Sequence, residues 1–314
     1  MPGIHFHFPT EEQFVRGFQR IRDEYEVSAS FPDDVEDAAS AAADKAHGSE
    51  RRDMRDIPFV TIDPAGSRDL DQAFHAVRSS DGYRIRYAIA DVAHFVAAGD
   101  PVDHEARTRG LTFYAPDKKA SLHPEVLSQD AASLLPDVDR PALVWTHDLD
   151  SHGSLVDTHI ERAVVRSRAM LSYEDVDGDL RSGDPQEVHL LLREIGILRQ
   201  KQEQTRGGIS LRIPNQEISA ANSTYELHFR RTMPVENWNA QMSLLTGIAA
   251  AQMMIDAKVG LLRTLPKPQK RTLAWLRRCS RAMDVPYPDY LAYPDWVRSL
   301  DTAVPDQAAL MTQA

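Results

Sequence analysis

Three aspartates in the segment VTIDPAGSRDLDQAF could share one cation: Asp63, Asp69 and Asp71. Carboxylates at such spacing repel one another unless solvent or a cation lies between them. Mg²⁺ prefers hard oxygen ligands, and a protein usually offers it one or two carboxylates beside water and substrate phosphate. The spacing therefore predicts either a site for Mg²⁺, with Mn²⁺ as an alternative, or a polar surface loop whose aspartates hydrogen-bond nearby backbone.

The aspartates lie between two predicted strands. PFVTID reads as a short strand, QAFHAVR alternates in polarity, and YRIRYAIADVAHFV reads as a longer strand after the turn signal SSDG. Asp63 would lie at the end of the first strand, and Asp69 and Asp71 would lie just before the second. A loop held between strands is a usual place for chemistry, because the sheet fixes its ends.

The remaining pattern predicts an α+β protein, with a mixed β-sheet core, packed helices and a short helical segment at the N-terminus. A hairpin is expected around His152–Gly153, and the tail after Val285 has no clear core pattern. Further strands are expected over residues 209–213 and 225–230. Helices are expected over residues 10–26, 33–48, 101–109, 184–206, 236–259 and 269–284.

Composition limits the class of protein. With 314 residues and 42% hydrophobic residues, the chain can bury a sizeable core. It contains no continuous apolar run of roughly 18–20 residues, so we expect no membrane span. The start lacks the basic and apolar regions of a signal peptide, which predicts a cytoplasmic protein. The lone Cys279 excludes an intramolecular disulfide framework and a multi-cysteine zinc site.

Charge is unevenly distributed along the chain. The net charge is −11, and residues 1–56 carry thirteen acidic against seven basic side chains. Residues 258–281, in contrast, carry eight Lys or Arg and no Asp or Glu. This segment either forms a basic surface that attracts phosphate or is an ordinary solvated helix face.

Longer motifs resemble one known family. FVTIDPAGSRDLDQAF, YAIADVAHFV, the stretch from EARTRG to PALVW, VVRSRAMLSYEDV and, more faintly, PVENWNAQMSLLTG are similar to the RNB domain of ribonuclease II and ribonuclease R. The resemblance covers roughly residues 58–260. It implies an RNB-like catalytic domain over residues 57–314, in which the family's usual C-terminal arginine segment is not found, so we expect either a fragment or a shortened relative. The helical patterns before it predict a helical N-terminal extension over residues 1–56.

The resemblance implies a Mg²⁺-dependent 3′→5′ exoribonuclease that acts on single-stranded RNA and releases 5′-mononucleotides. No obligatory protein partner is inferred. Asp63, Asp69 and Asp71 match three of the family's four clustered aspartates, with Asp71 at the key catalytic position. Gln72 stands at the fourth position. Its amide oxygen can bind a cation or a metal-bound water, but it brings no charge.

Three further residues match RNA contacts of the family. Tyr114 corresponds to an aromatic residue that stacks on a 3′-terminal base, and Tyr173 to a second RNA-contacting tyrosine. Glu236 corresponds to a contact near the ribose 2′-OH, the group by which proteins distinguish RNA from DNA. Without the resemblance, a structural role for Tyr114 in the core or in an edge strand would be equally expected. For Tyr173 the structural alternative is a hydrophobic staple at a helix N-terminus. The helix departs from the family pattern at Asn237 and Ser243, where Glu and Asn are usual.

Two other functions stay open at this stage. Gln72 and the missing arginine segment favour an RNB-fold RNA-binding protein that is catalytically weak or inactive. A metal-dependent hydrolase of another phosphate ester is disfavoured, because small esters need no stacking tyrosines. His75, His94 and His123 are expected to be structural, since Mg²⁺ prefers oxygen ligands.

Overall fold

The computed structural model describes most of the chain, namely residues 11–45, 48, 50–213, 215–221, 224–264 and 266–314. Residues 10 and 46–47, which the sequence places in helices, lie outside the described residues. The predicted α+β class is confirmed, because a six-stranded mixed sheet packs against helices and two helices precede it. No described helix has the length and apolar character to cross a membrane.

The strands form one large sheet and two small hairpins. In chain order they are β1 (Arg52–Asp53), β2 (Phe59–Asp63), β3 (Gln72–Ser79), β4 (Gly82–Ala90), β5 (Phe113–Tyr114), β6 (Lys119–Ala120), β7 (Asp139–Asp150), β8 (Leu155–Ser172), β9 (Asn215–Ala221) and β10 (Thr224–Arg230). The large sheet has the order β1-β8-β2-β3-β4-β7, while β5 pairs with β6 and β9 with β10.

The long strand β8 closes the large sheet on itself. Its first part pairs antiparallel with β7, and its last part pairs parallel with β2. Five strands therefore form a ring, with β1 added outside β8. In this register Asp63 lies opposite Ser172, so the residue after Ser172 emerges beside the end of β2.

The described residues also form helices. They are α1 (Glu11–Glu24), α2 (Asp33–Ala43), α3 (Val92–Phe95), α4 (Pro101–Arg109), α5 (Tyr173–Leu180), α6 (Glu187–Thr205), α7 (Pro234–Ala257), α8 (Lys270–Ala282), α9 (Tyr293–Ser299) and α10 (Pro305–Met311). The core under α5, α6 and α7 includes Tyr87, Ile195 and Leu245. Gly196 allows α6 to approach α7, because a Cβ there would lie 2.4 Å from the Cβ of Trp238.

Three sequence predictions were wrong. Residues 209–213 form no strand, because Arg212 donates hydrogen bonds to the carbonyl groups of Arg298 and Leu300 and holds the segment against the C-terminal helices. The strand predicted over YRIRYAIADVAHFV is shorter: β4 ends at Ala90, after which the chain turns into α3, and the buried carboxylate of Asp91 pairs there with Arg51 at 2.7 Å. The tail after Val285 does have a core, in which Trp296 is fully buried against α8 and α10.

Candidate active site

The aspartate loop is anchored to the segment that follows the π-helical turn Leu127–Ala131. The hydroxyl of Ser133 accepts a 3.0 Å hydrogen bond from the Leu70 backbone N–H and donates one of 2.6 Å to the Arg68 carbonyl. The Leu134 N–H donates to the Leu70 carbonyl at 2.8 Å. These bonds fix the loop midway between β2 and β3, so the three aspartates are positioned by buried backbone contacts.

Asp63 ends β2 as predicted and carries the most perturbed carboxylate of the loop. Its side chain is mostly buried, and its Oδ2 has no hydrogen-bond partner among the described residues. Burial raises the pKa of Asp63 to about 6, and the charges of Asp71 and Asp69 add to this effect. A buried anionic oxygen without a donor is costly, so this atom is suited to receive a cation or a hydrogen-bond donor.

Asp69 and Asp71 stand where β3 begins. The ammonium group of Lys119 lies 2.9 Å from Asp69 Oδ2. Burial raises the pKa of Asp71, and the charge of Asp69 contributes, although hydrogen bonds from its own backbone and Gln72 act in the opposite direction. One positive charge from the chain thus partly balances a loop with three carboxylates.

Gln72 is held by two hydroxyl groups. Its Oε1 accepts hydrogen bonds from Tyr87 Oη and, at 2.7 Å, from Ser243 Oγ. The two hydroxyls are themselves 2.8 Å apart. Because a carbonyl oxygen has two lone pairs, Gln72 would have to give up one of these bonds to bind a cation.

The predicted site residues line two different pockets. The first has a volume of about 170 Å³ and is lined by Asp63, Gln72, Tyr173 and Glu236, among others. The second has a volume of about 240 Å³ and is lined by Asp69, Asp71 and Tyr114, among others. The structure therefore places Tyr114 apart from the other two predicted RNA contacts, although all three adjoin the same loop.

Tyr173 and Glu236 enter the first pocket from helix N-termini. Tyr173 is the first residue of α5, behind a capping box between Ser172 and Asp175. Burial and the nearby charge of Asp63 raise its pKa, while a hydrogen bond with Asn239 lowers it. Tyr173 is thus both near Asp63 and close to α7, the helix that carries Glu236.

Glu236 is already engaged by the protein. Its Oε1 accepts hydrogen bonds from Arg230 at 2.6 Å and from the Met233 N–H at 2.7 Å, and its Oε2 accepts one from Arg230 at 3.2 Å. Burial would raise its pKa, but the hydrogen bonds from Arg230 and Met233 lower it overall. The carboxylate is fixed and charged, with acceptor capacity left on Oε2.

Tyr114 is 75% exposed and lies on the short β5–β6 hairpin. Its cross-strand partner is Lys119, the residue that pairs with Asp69. The ring is therefore linked to the aspartate loop through one hairpin. An exposed tyrosine at the rim of a pocket can stack on any base, because every base has a π-face.

Sequence reasoning missed Lys119, Tyr87 and Asn239. Asn239 donates a 3.1 Å hydrogen bond to the Ile62 carbonyl and so joins α7 to β2 beside Asp63. Lys119 lies in the run DKKASL, where two adjacent lysines give no hint of which one turns inward. Ser243 is one of the residues at which the sequence differs from the expected family pattern, but its contact with Gln72 follows only from the structure. His123 lines the second pocket, and burial lowers its pKa.

The donor set fits a divalent cation in charge and chemistry. Within the described ranges, no three His, Cys, Asp or Glu side chains stand together as a formed metal site. The partnerless Asp63 oxygen and the mutual repulsion of Asp63, Asp69 and Asp71 nevertheless match what a hard cation relieves. Lys119 would have to share Asp69 with such an ion.

The fold and the loop together define a class of protein. The family model for the RNB domain matches residues 51–309, and the chain belongs to the RNB family. Ribonuclease R of Escherichia coli (strain K12) is 33% identical over 239 residues, which cover 72% of this chain and 29% of that protein. The chain thus spans less than a third of the length of this relative.

Solved structures show the same fold. Mycoplasma genitalium RNase R in complex with ribose-methylated single-stranded RNA superposes with a TM-score of 0.86 and 23% identity, covering 95% of this chain and 50% of that one. Yeast Ssd1, described as a pseudonuclease, superposes with a TM-score of 0.66 and 17% identity, covering 84% of this chain and 34% of its own. The fold is therefore shared by nucleases and by a protein without that activity.

Proposed function

We propose that this chain is a Mg²⁺-dependent 3′→5′ exoribonuclease, with Mn²⁺ as an alternative ion, that acts on single-stranded RNA and releases 5′-mononucleotides. The observation that carries the proposal is the buried Asp63 oxygen, which has no partner among the described residues and whose carboxyl group is influenced by the charges of Asp71 and Asp69. Family membership supports the same reaction class. Residues 57–314 would form the catalytic domain, strand β1 would complete its sheet, and helices α1 and α2 would form an N-terminal extension.

Each side chain has a definable role in this reaction. Asp63, Asp69 and Asp71 would hold the metal ion, which when bound would activate water and neutralise charge at phosphorus. Tyr173 and Glu236 would hold the terminal nucleotide in the first pocket, with Glu236 accepting from a 2′-OH. Tyr114 would stack on a base at the second pocket.

Hydrolysis would make one bond to phosphorus and break another. The water oxygen forms a bond to phosphorus while the bond between phosphorus and the 3′-oxygen of the preceding nucleotide breaks. That 3′-oxygen takes up a proton and becomes the new RNA end. The released nucleotide keeps the phosphate on its 5′ carbon.

A second candidate function is RNA binding with little or no hydrolysis. Gln72 supports it, because its oxygen is committed to Tyr87 and Ser243 and it adds no charge. Lys119 also supports this second function, because its ammonium group already pairs with an oxygen of Asp69. In this case the two pockets would still hold single-stranded RNA.

Product identification tests the proposal. The purified chain is incubated with oligo(A), with Mg²⁺ or with EDTA, and the products are separated by chromatography. Release of 5′-AMP that depends on Mg²⁺ and is lost in Asp71→Asn supports the exoribonuclease. RNA binding without any nucleotide release, in both Mg²⁺ and Mn²⁺, favours the second candidate.

A further inference from the structure

A basic surface on helix α8 lies outside both pockets of the aspartate loop. Arg271, Trp275 and Arg278 recur at helical spacing, and Arg281 continues the same face one turn later. The side chains of Arg271, Arg278 and Arg281 are exposed, and Trp275 is 39% exposed. In the described parts of the chain, none of these three guanidinium groups has a side-chain hydrogen bond or ion pair.

A groove of about 480 Å³ runs beside this face. It is lined by Arg277, Arg278, Arg281 and Tyr287, with Asp289 at one side. The Arg277 guanidinium lies 4.7 Å from the centre of the Tyr287 ring and 3.6 Å from the fully exposed Asp289 carboxylate. The groove is therefore lined by three guanidinium groups and by one carboxylate, that of Asp289, which lies at a long ion-pair distance from Arg277.

The opposite face of α8 is used by the protein itself. Leu276 is fully buried against Trp296 and Leu310 in the C-terminal core. The helix thus has no free apolar face for insertion into a lipid surface. Its exposed face offers guanidinium groups, which grip phosphate, and one indole ring, which can stack on a base.

We propose that Arg271, Trp275, Arg277, Arg278 and Arg281, here called the α8 surface, bind the phosphate backbone of single-stranded RNA away from the catalytic loop. The choice of RNA as the polyanion rests on the proposed function. Electrostatics favour this partner, because residues 258–281 carry eight basic and no acidic side chains in a chain of net charge −11. The α8 surface would hold a long strand whose 3′ end occupies the aspartate site.

Fluorescence anisotropy in EDTA tests this surface without hydrolysis. Labelled long oligo(A) and the dinucleotide ApA are titrated with the parent chain, with Arg278→Gln/Arg281→Gln and with a matched control, Arg20→Gln/Arg206→Gln, which removes two exposed arginines elsewhere. Each phosphate contact on a single strand contributes about 0.7 to the salt slope of the binding constant. The α8 variant should therefore lose about 1.4 from that slope, while the control keeps it.

Affinity gives a second readout. Between about 50 and 200 mM salt, the parent should lose about sevenfold more affinity for long oligo(A) than the α8 variant does. Arg278→Lys/Arg281→Lys should keep most of the salt slope, and Trp275→Leu should weaken binding at least about fivefold through lost stacking. Binding of ApA should be unchanged in all variants.

The outcomes separate this inference from the proposed function. Equal salt slopes and affinities in parent and α8 variant overturn the α8 surface, whether or not the chain hydrolyses RNA. Loss of sedimentation with phosphatidylserine vesicles in the α8 variant, without loss of RNA affinity, overturns it too. A chain that releases no nucleotide but loses long-RNA affinity in the α8 variant supports the surface and contradicts the exoribonuclease.

Discussion

The Ser243 hydroxyl donates a 2.7 Å hydrogen bond to the Gln72 side-chain oxygen, joining helix α7 to the first residue of strand β3. Both residues stand where the sequence departs from the family pattern that it otherwise resembles. Under the resemblance to the RNB family, residue 72 would carry a carboxylate, whereas here a neutral amide contacts a hydroxyl. Gln72, Ser243 and Tyr87 line the first pocket and are hydrogen-bonded to one another without adding charge to the site.

Restoring a carboxylate at residue 72 should strengthen metal binding. In Gln72→Asp a full negative charge replaces a dipole near the cation, and we expect about tenfold tighter Mn²⁺ binding. Isothermal titration calorimetry measures this. Gln72→Glu, which keeps the side-chain length and the acceptor for Ser243, is the matched variant. Unchanged affinity in both variants would show that residue 72 lies outside the metal's reach.

Removing the ammonium group of Lys119 should also strengthen metal binding. Lys119→Met leaves Asp69 without its 2.9 Å partner, so the three carboxylates repel one another more strongly in the metal-free chain. We expect Mn²⁺ to bind about tenfold more tightly and to raise the melting temperature more than in the parent. The exposed neighbour substitution Lys118→Met serves as the control. Weaker metal binding in Lys119→Met would mean that Lys119 supports the site instead of competing for it.

Glu236 and Tyr114 should affect RNA binding differently. Glu236→Gln keeps the side-chain shape but weakens acceptance from a 2′-OH, so the preference for RNA over DNA should narrow by roughly tenfold. Tyr114→Ala removes a stacking ring and should lower the affinity for both RNA and DNA by at least about fivefold. Anisotropy with matched RNA and DNA oligomers in EDTA distinguishes the two effects. Equal affinity of the unmodified chain for both sugars would contradict a ribose contact at Glu236.

Protonation of His147 should lower the free energy of unfolding at acid pH. It is fully buried between Thr158 and Thr246, and burial together with the charge of Arg199 lowers its pKa to about 4. Because the unfolded pKa is near 6.5, its contribution is present above about pH 6.5 and is lost as pH falls towards 4, up to about 3 kcal/mol.

Urea unfolding between these pH values measures the His147 contribution. His147→Gln removes the titration, so the free energy of unfolding should depend less steeply on pH than in the parent. The exposed His159→Gln serves as control and should keep the parent's slope. An unchanged slope in His147→Gln would contradict a neutral, buried histidine.

Local signals in the sequence predicted much of the architecture. The short run PFVTID and the alternation in QAFHAVR located β2 and β3, and Gly110 ended α4 as expected. The loop position of Asp63, Asp69 and Asp71 followed from these strands. Partners distant in sequence could not be predicted, because Lys119 and Ser243 reach the loop through the hairpin β5–β6 and helix α7. The buried Trp296 core was missed because short helices after proline residues carry a weak periodic signal.

Shortening of 5′-labelled oligo(A), followed over time on a denaturing gel, tests the central claim most directly. The account predicts a ladder that descends from the 3′ end in Mg²⁺, stops in EDTA and is lost in Asp71→Asn, while a labelled blunt duplex stays intact. Circular dichroism of Asp71→Asn controls for folding. An intact oligo(A) band in Mg²⁺ and Mn²⁺, from a chain that binds the same RNA, would contradict the account. Cleavage that persists in EDTA would contradict it equally.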